Sequence, residues 1–178
     1  MSILEILKYP DPFLKTKAKP VSRIDEETRK LISAMIETMC FARGIGLAAT
    51  QVGADKRIAV LDVPAEQRAG GRGQGENLIV LINPEIIAHE GETKYEEGCL
   101  SVPGFTADVK RFATVVVKGL DKNGKGLEIN AGGLLAIAIQ HEMDHLDGIL
   151  FIDRLSKLKR DIIKRKIKKA IEDEKKQL

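Results

Sequence analysis

The sequence predicts an α+β fold in which antiparallel β-sheets pack around a central helix, with an N-terminal helix and a basic C-terminal helix. Strand-like apolar runs cluster ahead of the later helices without the regular alternation of a parallel fold. The turn sequence DKNG at residues 121–124 separates two such runs, as in hairpins between antiparallel strands. A chain of 178 residues with 43% hydrophobic residues suits one compact domain.

The first helix is predicted over residues 25–42, where apolar residues recur at spacings of three and four. These residues are Leu31, Ile32, Met35, Ile36 and Met39. Asp25 or Ser22 can cap its N-terminus, and Gly44 follows its end. Cys40 continues the apolar face, so we expect it in the core.

Strands are predicted where β-branched runs are bounded by glycine, proline or asparagine. The predicted strands cover residues 57–63, 78–82, 85–89 and 114–120, with a further run at 127–129 after the hairpin turn. Residues 64–77 are polar and rich in glycine, but no Lys-Ser or Lys-Thr follows the glycines. We therefore expect a loop there and not a phosphate-binding site.

Two further helices are predicted. The segment 133–146 is apolar nearly all round, which places it in the core. A basic helix runs from Ser156 to about Lys175, and isoleucines 162, 163, 167 and 171 would dock it. Residues 154–178 carry 11 Lys and Arg against 4 Asp and Glu, although the whole chain has a formal net charge of only +3.

The sequence also indicates where the protein resides. No apolar stretch approaches the roughly 20 residues that span a bilayer. The N-terminus has neither an export signal nor an organelle address. A cytoplasmic protein without membrane contact is therefore expected.

The strongest chemical signal is the sequence HEMDH at residues 141–145, inside the central helix. A spacing of four places His141 and His145 on one face, where both can bind a divalent metal. Glu142 can then reach a water on that metal as general base. The central helix is thus predicted to be metal-binding.

A catalytic metal needs a third protein ligand and one open position. Cys99 is the candidate, in the sequence EGCLS at residues 97–101, where Gly98 permits close backbone approach. The alternative from composition alone is a buried structural cysteine. A third segment, GIGLAATQ at residues 44–51, is a weak signal alone, since a helix cap and a tight strand also explain it.

Together these three segments resemble the signature motifs of the peptide deformylase family. The matches run over residues 44–51, 97–101 and 140–145, in order and without a break. Similarity extends to residues 6–12, 81–84 and 133–136, so that the resemblance covers about residues 1–155. These residues would form the catalytic domain, and residues 156–178 a basic C-terminal helix of the same domain.

The resemblance implies a metal-dependent hydrolase that removes formyl from the N-terminal formyl-methionine of newly made polypeptides and releases formate. Cys99, His141 and His145 would hold the metal, and Glu142 would be the base. Gln51 and the backbone N–H of Leu100 would stabilise the tetrahedral oxyanion. Iron(II) is the expected metal, and zinc, nickel(II) or cobalt(II) can substitute.

By matching position, the resemblance also indicates the substrate pocket. The residues concerned are Ile45, Gly46, Leu100, Ile137 and Ala138. An apolar lining suits an unbranched methionine side chain. Thr106 stands where some relatives carry arginine, so contacts beyond the methionine are not predicted.

Formylated nascent chains are the implied substrates and indicate a bacterial or organellar setting, of which the lack of a visible organelle address favours the bacterial cytoplasm. The basic C-terminal helix is either a solvated amphipathic helix or a contact with the ribosome, whereas neither DNA nor a membrane is an expected partner. Two alternatives stay open at this point. A zinc endopeptidase would explain the HEMDH sequence but neither Cys99 nor Gln51. A ribosome-bound module with a structural metal would leave Glu142 idle and needs a fourth ligand.

Overall fold

The computed structural model describes residues 2–64, 68–69 and 78–176. Its helices are α1 (Glu26–Phe41), α2 (Gly133–Leu146) and α3 (Lys157–Lys176). Its strands are β1 (Gly46–Ala48), β2 (Ile58–Asp62), β3 (Arg68–Ala69), β4 (Leu78–Cys99), β5 (Val102–Leu120) and β6 (Gly126–Gly132). The strands form one antiparallel sheet in the order β1-β2-β4-β5-β6-β3. The predicted α+β class with antiparallel pairing is confirmed.

Strand β2 and the first part of β4, residues 79–82, bury both of their faces. On one face Val60 and Val80 belong to a core cluster with Met35 of α1. On the other face Leu61 belongs to a cluster with Ile139 of α2. Since successive side chains of a strand point to opposite faces, this part of the sheet lies between the two helices, which explains its unbroken apolar runs.

Helix α1 begins as the sequence predicts. The side chain of Asp25 caps it by accepting the backbone N–H of Thr28 at 2.9 Å. The prediction that Cys40 is a core residue is wrong, because the structure exposes it. The buried face ends at Met39, and Cys40 is turned about 100° away from that face, next to the exposed Phe41.

The long hairpin of β4 and β5 differs from the predicted strands. The runs at 78–82 and 85–89 belong to one strand, because the chain passes Asn83 and Pro84 through a bulge and continues to Cys99. The next turn is as predicted: Leu120 pairs with Gly126, and Asp121 accepts the N–H of Asn123 at 2.8 Å. Within the predicted loop 64–77, residues 65–67 and 70–77 lie outside the described residues, and Arg68–Ala69 pairs with β6.

Helix α2 has the predicted bounds, and twelve of its residues are buried. Gly148 follows it with a φ of +73°, a conformation that favours glycine, and its N–H donates to the carbonyl of His145 at 3.1 Å. A Cβ atom at position 148 would also lie 2.4 Å from the carbonyl oxygen of Lys15. Glycine therefore lets the N-terminal segment pack against the end of α2.

Helix α3 docks through one side. Ile167 is buried in a cluster with Phe151, and Ile163 and Ile171 pack partly against it. Ile162 is 39% exposed, so its predicted docking role is wrong: it lies outside the stripe formed by the other three. None of the helices in the described part of the chain has both the length and the apolar character needed to cross a membrane.

Candidate metal centre

Helix α2 brings two imidazoles together. His141 and His145 lie one turn apart, and their Nε2 atoms are 3.2 Å from each other. Both residues are buried, because α2 is covered by the sheet and by the segment around Phe151. The predicted placement of both side chains on one helix face therefore corresponds to the geometry.

The third candidate ligand atom, a sulfur, comes from the end of β4. Cys99 pairs with Val102 across a two-residue turn formed by Leu100 and Ser101. Its Sγ lies 3.2 Å from Nε2 of His145 and accepts the backbone N–H of Ser101 at 3.4 Å. The three candidate ligand atoms all lie within 4.8 Å of one another.

The donor set fits a metal ion. Two imidazole nitrogens and a thiolate are ligands that zinc and iron(II) accept. On a tetrahedral ion with metal–nitrogen bonds near 2.05 Å, two nitrogens are separated by roughly 3.3 Å. The 3.2 Å between the Nε2 atoms of His141 and His145 is close to that separation. Three ligands also leave one position for substrate or water.

Glu97 fixes the orientation of His141. Its Oε2 lies 2.8 Å from Nδ1 of His141, so that a proton on Nδ1 leaves Nε2 free to bind a metal. Arg111 donates from Nε and Nη2 to the two carboxylate oxygens of Glu97, at 2.6 and 2.9 Å. Burial alone would raise the pKa of Glu97, but the bonds from Arg111 and His141 outweigh burial and lower it.

The pKa values of the two histidines are shifted in opposite directions. Burial opposes protonation of both rings. For His141, hydrogen bonds with Cys99 and Glu97 outweigh burial and raise the pKa well above its usual value. For His145, burial and the neighbouring His141 hold the pKa well below it. His145 is thus held neutral, whereas His141 must release a proton before its Nε2 can bind a metal.

Glu142 lines the same cavity as Cys99 and His141. It is buried, and its Oε2 has no hydrogen-bond partner within the described residues. Burial raises the pKa of Glu142 to about 7, although the positive charge of His141 opposes the shift. A carboxyl group with this pKa can both take up and release a proton near neutral pH.

Gln51, in the 3₁₀ turn Ala49–Val52, also lies next to Cys99. Its Oε1 accepts the N–H of Ala48 at 2.9 Å, which fixes the amide and directs Nε2 toward the site. Nε2 lies 3.1 Å from Oγ of Ser101 and 3.6 Å from Sγ of Cys99. An amide donor is therefore available next to the candidate ligand atoms.

A cavity of about 260 Å³ opens beside the centre. It is lined by all five predicted pocket residues, namely Ile45, Gly46, Leu100, Ile137 and Ala138, and by Gln51, Cys99, His141 and Glu142. Sequence reasoning missed Arg43, Tyr95 and Leu134, which also line it. Thr106 reaches the cavity indirectly, because its Oγ1 donates at 2.7 Å to Glu96, a lining residue.

Sequence reasoning also missed the charged groups behind His141. Glu97 and Asp144 lie inside the recognised motifs, and their acidic character was the available signal. Arg111, 14 residues beyond Glu97, carries no motif that would predict its contact. Only the pairing of β4 with β5 brings Arg111 to the metal site.

The chain is similar to known proteins over nearly its whole length. The profile of a family described as polypeptide deformylase matches residues 3–161. A peptide deformylase of Thermodesulfovibrio yellowstonii is 58% identical over 168 residues, which is 94% of this chain and 98% of that protein. One of Syntrophobacter fumaroxidans is 54% identical over 173 residues, covering 97% of this chain and 98% of that protein.

Solved structures show the same likeness. A peptide deformylase from Legionella pneumophila superposes with a TM-score of 0.86 at 46% identity, covering 97% of each chain. One from Ehrlichia chaffeensis in complex with actinonin superposes with a TM-score of 0.88 at 43% identity, covering 96% of this chain and 98% of that chain.

Proposed function

This chain belongs to the peptide deformylase family, and we propose that its active site is the centre formed by Cys99, His141 and His145 with Glu142 beside it. As a member of the family it is a hydrolase that removes the N-formyl group from the N-terminal formyl-methionine of newly made polypeptides, releasing formate. One observation carries the site assignment: Oε2 of Glu142, which is buried and has no partner among the described residues, lies at the cavity where three candidate ligand atoms converge.

Cys99, His141 and His145 would hold one divalent metal. When bound, the metal supplies Lewis acidity, which lowers the pKa of a water molecule and polarises the formyl carbonyl. Iron(II) is the proposed metal, as the family resemblance indicates, and zinc, nickel(II) or cobalt(II) can substitute. The donor set accepts all four.

Glu142 moves the proton in this proposal. Its free Oε2 accepts the proton of the attacking water, and the same carboxyl group then delivers it to the leaving amine. Water adds to the formyl carbon, the carbon–nitrogen bond breaks, and formate and a free amino terminus result. The pKa of about 7 suits one carboxylate to both roles.

Gln51 stabilises the charge that develops on the formyl oxygen. Its amide is held in place by the bond from Ala48, so that Nε2 need not reorganise during the reaction. The backbone N–H of Leu100, next to Cys99, is the second proposed donor. Gln51 and Leu100 belong to two different turns, and both turns line the cavity.

The cavity is the proposed site of the methionine side chain. Ile45, Leu100, Ile137 and Ala138 give it an apolar lining, and Gly46 offers its backbone to the peptide. Residues 1–155 would carry this catalytic unit, with residues 156–178 as an appended helix of the same domain. We place the reaction in the bacterial cytoplasm, where formylated chains are made.

The site assignment is tested with the two cysteines. Cys99→Ala should lose bound metal and formate release from formyl-Met-Ala-Ser, whereas the exposed Cys40 is the matched control, and Cys40→Ala should retain both. Equal metal content and turnover in both variants would contradict the assignment. Cleavage of an unformylated peptide at internal bonds would instead favour a peptidase.

We also propose that α3 contacts ribosomal RNA. The exposed Arg165, Lys166 and Lys169 lie on this basic helix, and phosphate contacts need such cations. Changing all three to Glu should abolish salt-sensitive co-sedimentation with ribosomes. The control changes the exposed Arg29 and Lys30 of α1 to Glu. Unchanged co-sedimentation of the α3 variant would contradict the contact.

A further inference from the structure

Arg154, a partly exposed residue, forms two hydrogen bonds to Asp144 of the proposed metal-binding helix α2. Arg154 ends the 3₁₀ turn Phe151–Arg154, which follows α2. Its Nε donates to Oδ2 of Asp144 and its Nη2 to Oδ1, both at 2.5 Å. The Asp144 side chain is only 9% exposed, whereas that of Arg154 is 41% exposed. Both oxygens of a nearly buried carboxylate are thus held from the outside by one guanidinium.

The same carboxylate holds the inner arginine. Oδ2 of Asp144 accepts Nη1 of Arg111 at 2.6 Å, and the other edge of Arg111 binds Glu97 through Nε and Nη2. Glu97 in turn meets Nδ1 of His141 at 2.8 Å. A continuous series of charge-assisted hydrogen bonds therefore runs from Arg154 to a proposed metal ligand.

The geometry points to Arg154 as a positioning residue of the metal centre. We propose that it locks the rotation of the Asp144 carboxylate and, through Arg111 and Glu97, the orientation of the His141 ring. Arg154 is the partner of Asp144 Oδ1 within the described residues, so without it this carboxylate is held by a single bond from Arg111. The inference rests on the proposed assignment of His141 as a ligand.

A lysine at position 154 separates geometry from charge. Arg154→Lys keeps the positive charge near Asp144 but removes the planar fork that binds both oxygens. Arg154→Gln removes the charge as well. If the fork matters, both variants should loosen the metal centre, whereas a purely electrostatic effect would be absent from the lysine variant.

The test measures how fast the protein releases metal. Cobalt(II) is bound to the full-length protein, and its transfer to an excess of chelator is followed through the absorption band of the cobalt–thiolate bond. We expect Arg154→Lys to release cobalt about three- to tenfold faster than the parent. Loss of a direct partner of a ligand costs about 10- to 100-fold in affinity, and Arg154 acts through three intermediates.

Asp153→Asn is the matched control. Asp153 lies on the same turn, pairs with Lys15 and accepts the N–H of Leu150, but it has no contact with Asp144 among the described residues. This substitution weakens the pairing with Lys15 and the cap on the Leu150 N–H, but it removes none of the hydrogen bonds in the series from Arg154 to His141. It should lower thermal stability and leave the rate of cobalt release unchanged.

The outcomes separate this inference from the proposed function. Release from Arg154→Lys at the parent rate, or as much acceleration by Asp153→Asn, would overturn the positioning role alone. A parent whose cobalt shows no thiolate band, or a band that survives Cys99→Ala, would overturn the assignment of the metal ligands and this inference with it.

Discussion

Gly46 lies so close to the side chain of Glu142 that any other residue at position 46 would have to displace it. A Cβ atom at Gly46 would lie 2.4 Å from Oε1 of Glu142 and 2.9 Å from its Cδ. The backbone of strand β1 thus runs directly against the side chain of the proposed base. The glycine of the first motif is therefore explained by packing against the third motif.

Gly46→Ala should displace the carboxylate of Glu142 and lower kcat/KM for formyl-Met-Ala-Ser about 10- to 100-fold, since misplacement of a catalytic group by 1 Å has effects of this size. Metal content should stay unchanged, because the three ligands are not touched. Gly126→Ala is the control, as no atom lies within 4 Å of a Cβ there. Activity within twofold of the parent would contradict the contact.

Gly148→Ala should destabilise the fold by about 2 kcal/mol or more in denaturant unfolding. Both its φ of +73° and the 2.4 Å approach to the Lys15 carbonyl oppose a side chain. Gly104→Ala separates the two causes, because its φ is +81° but nothing lies within 4 Å of the added Cβ. We expect about 1 kcal/mol there. Equal losses in both variants would show that the clash has no cost.

Asp153→Asn should reduce the change in the free energy of unfolding between neutral and acidic pH. Burial alone would raise the pKa of Asp153, but bonds from Lys15 and the Leu150 N–H outweigh burial and lower it. The ionised form thus stabilises the fold at pH values above the ordinary aspartate pKa, and this contribution is lost as pH falls through the lowered pKa.

The parent should therefore exceed Asp153→Asn by about 1 kcal/mol in free energy of unfolding at pH 7, and the difference should shrink toward pH 3. Asp161→Asn is the control, because the Asp161 side chain has no ion pair or hydrogen bond among the residues described. A difference that stays constant between pH 7 and pH 3 would contradict the assignment.

Iron(II) at this site should make the activity sensitive to oxygen. Oxygen oxidises the metal and then the Cys99 thiolate, which is only partly buried. The half-life of iron-loaded activity should be several-fold shorter in air than under argon, while zinc-loaded protein should show no difference. Equal half-lives of the iron form in both gases would count against iron as the native metal.

Local patterns predicted the elements whose environment is uniform along their length. Helix α2 has the bounds that its apolar sequence indicated, and β2 lies within its predicted run. The sequence predicts two strands, 78–82 and 85–89, in place of β4, because proline and asparagine usually end strands. Here Asn83 has a φ of +52° in a bulge, and the pairing with β5 continues on both sides. Long-range pairing decided the outcome.

Motifs predicted the proposed ligands but not what holds them. His141, His145 and Cys99 were identified because their spacing and neighbours indicate a metal site. Glu97, Arg111, Asp144 and Arg154 meet only through tertiary contacts between α2, the β4–β5 hairpin and the turn after α2. Sequence separation of up to 44 residues, as between Glu97 and His141, leaves no local pattern from which to infer such a contact.

The measurement that tests the central claim most directly is formate release from formyl-Met-Ala-Ser by iron(II)-loaded parent and Glu142→Ala, both prepared without oxygen, with metal content determined on the same samples. We predict that the parent releases formate, and that the variant keeps its metal but loses at least about 100-fold in kcat. No formate from a folded, metal-bearing parent would contradict the account. So would a metal-bearing Glu142→Ala variant whose turnover stays within a few-fold of the parent.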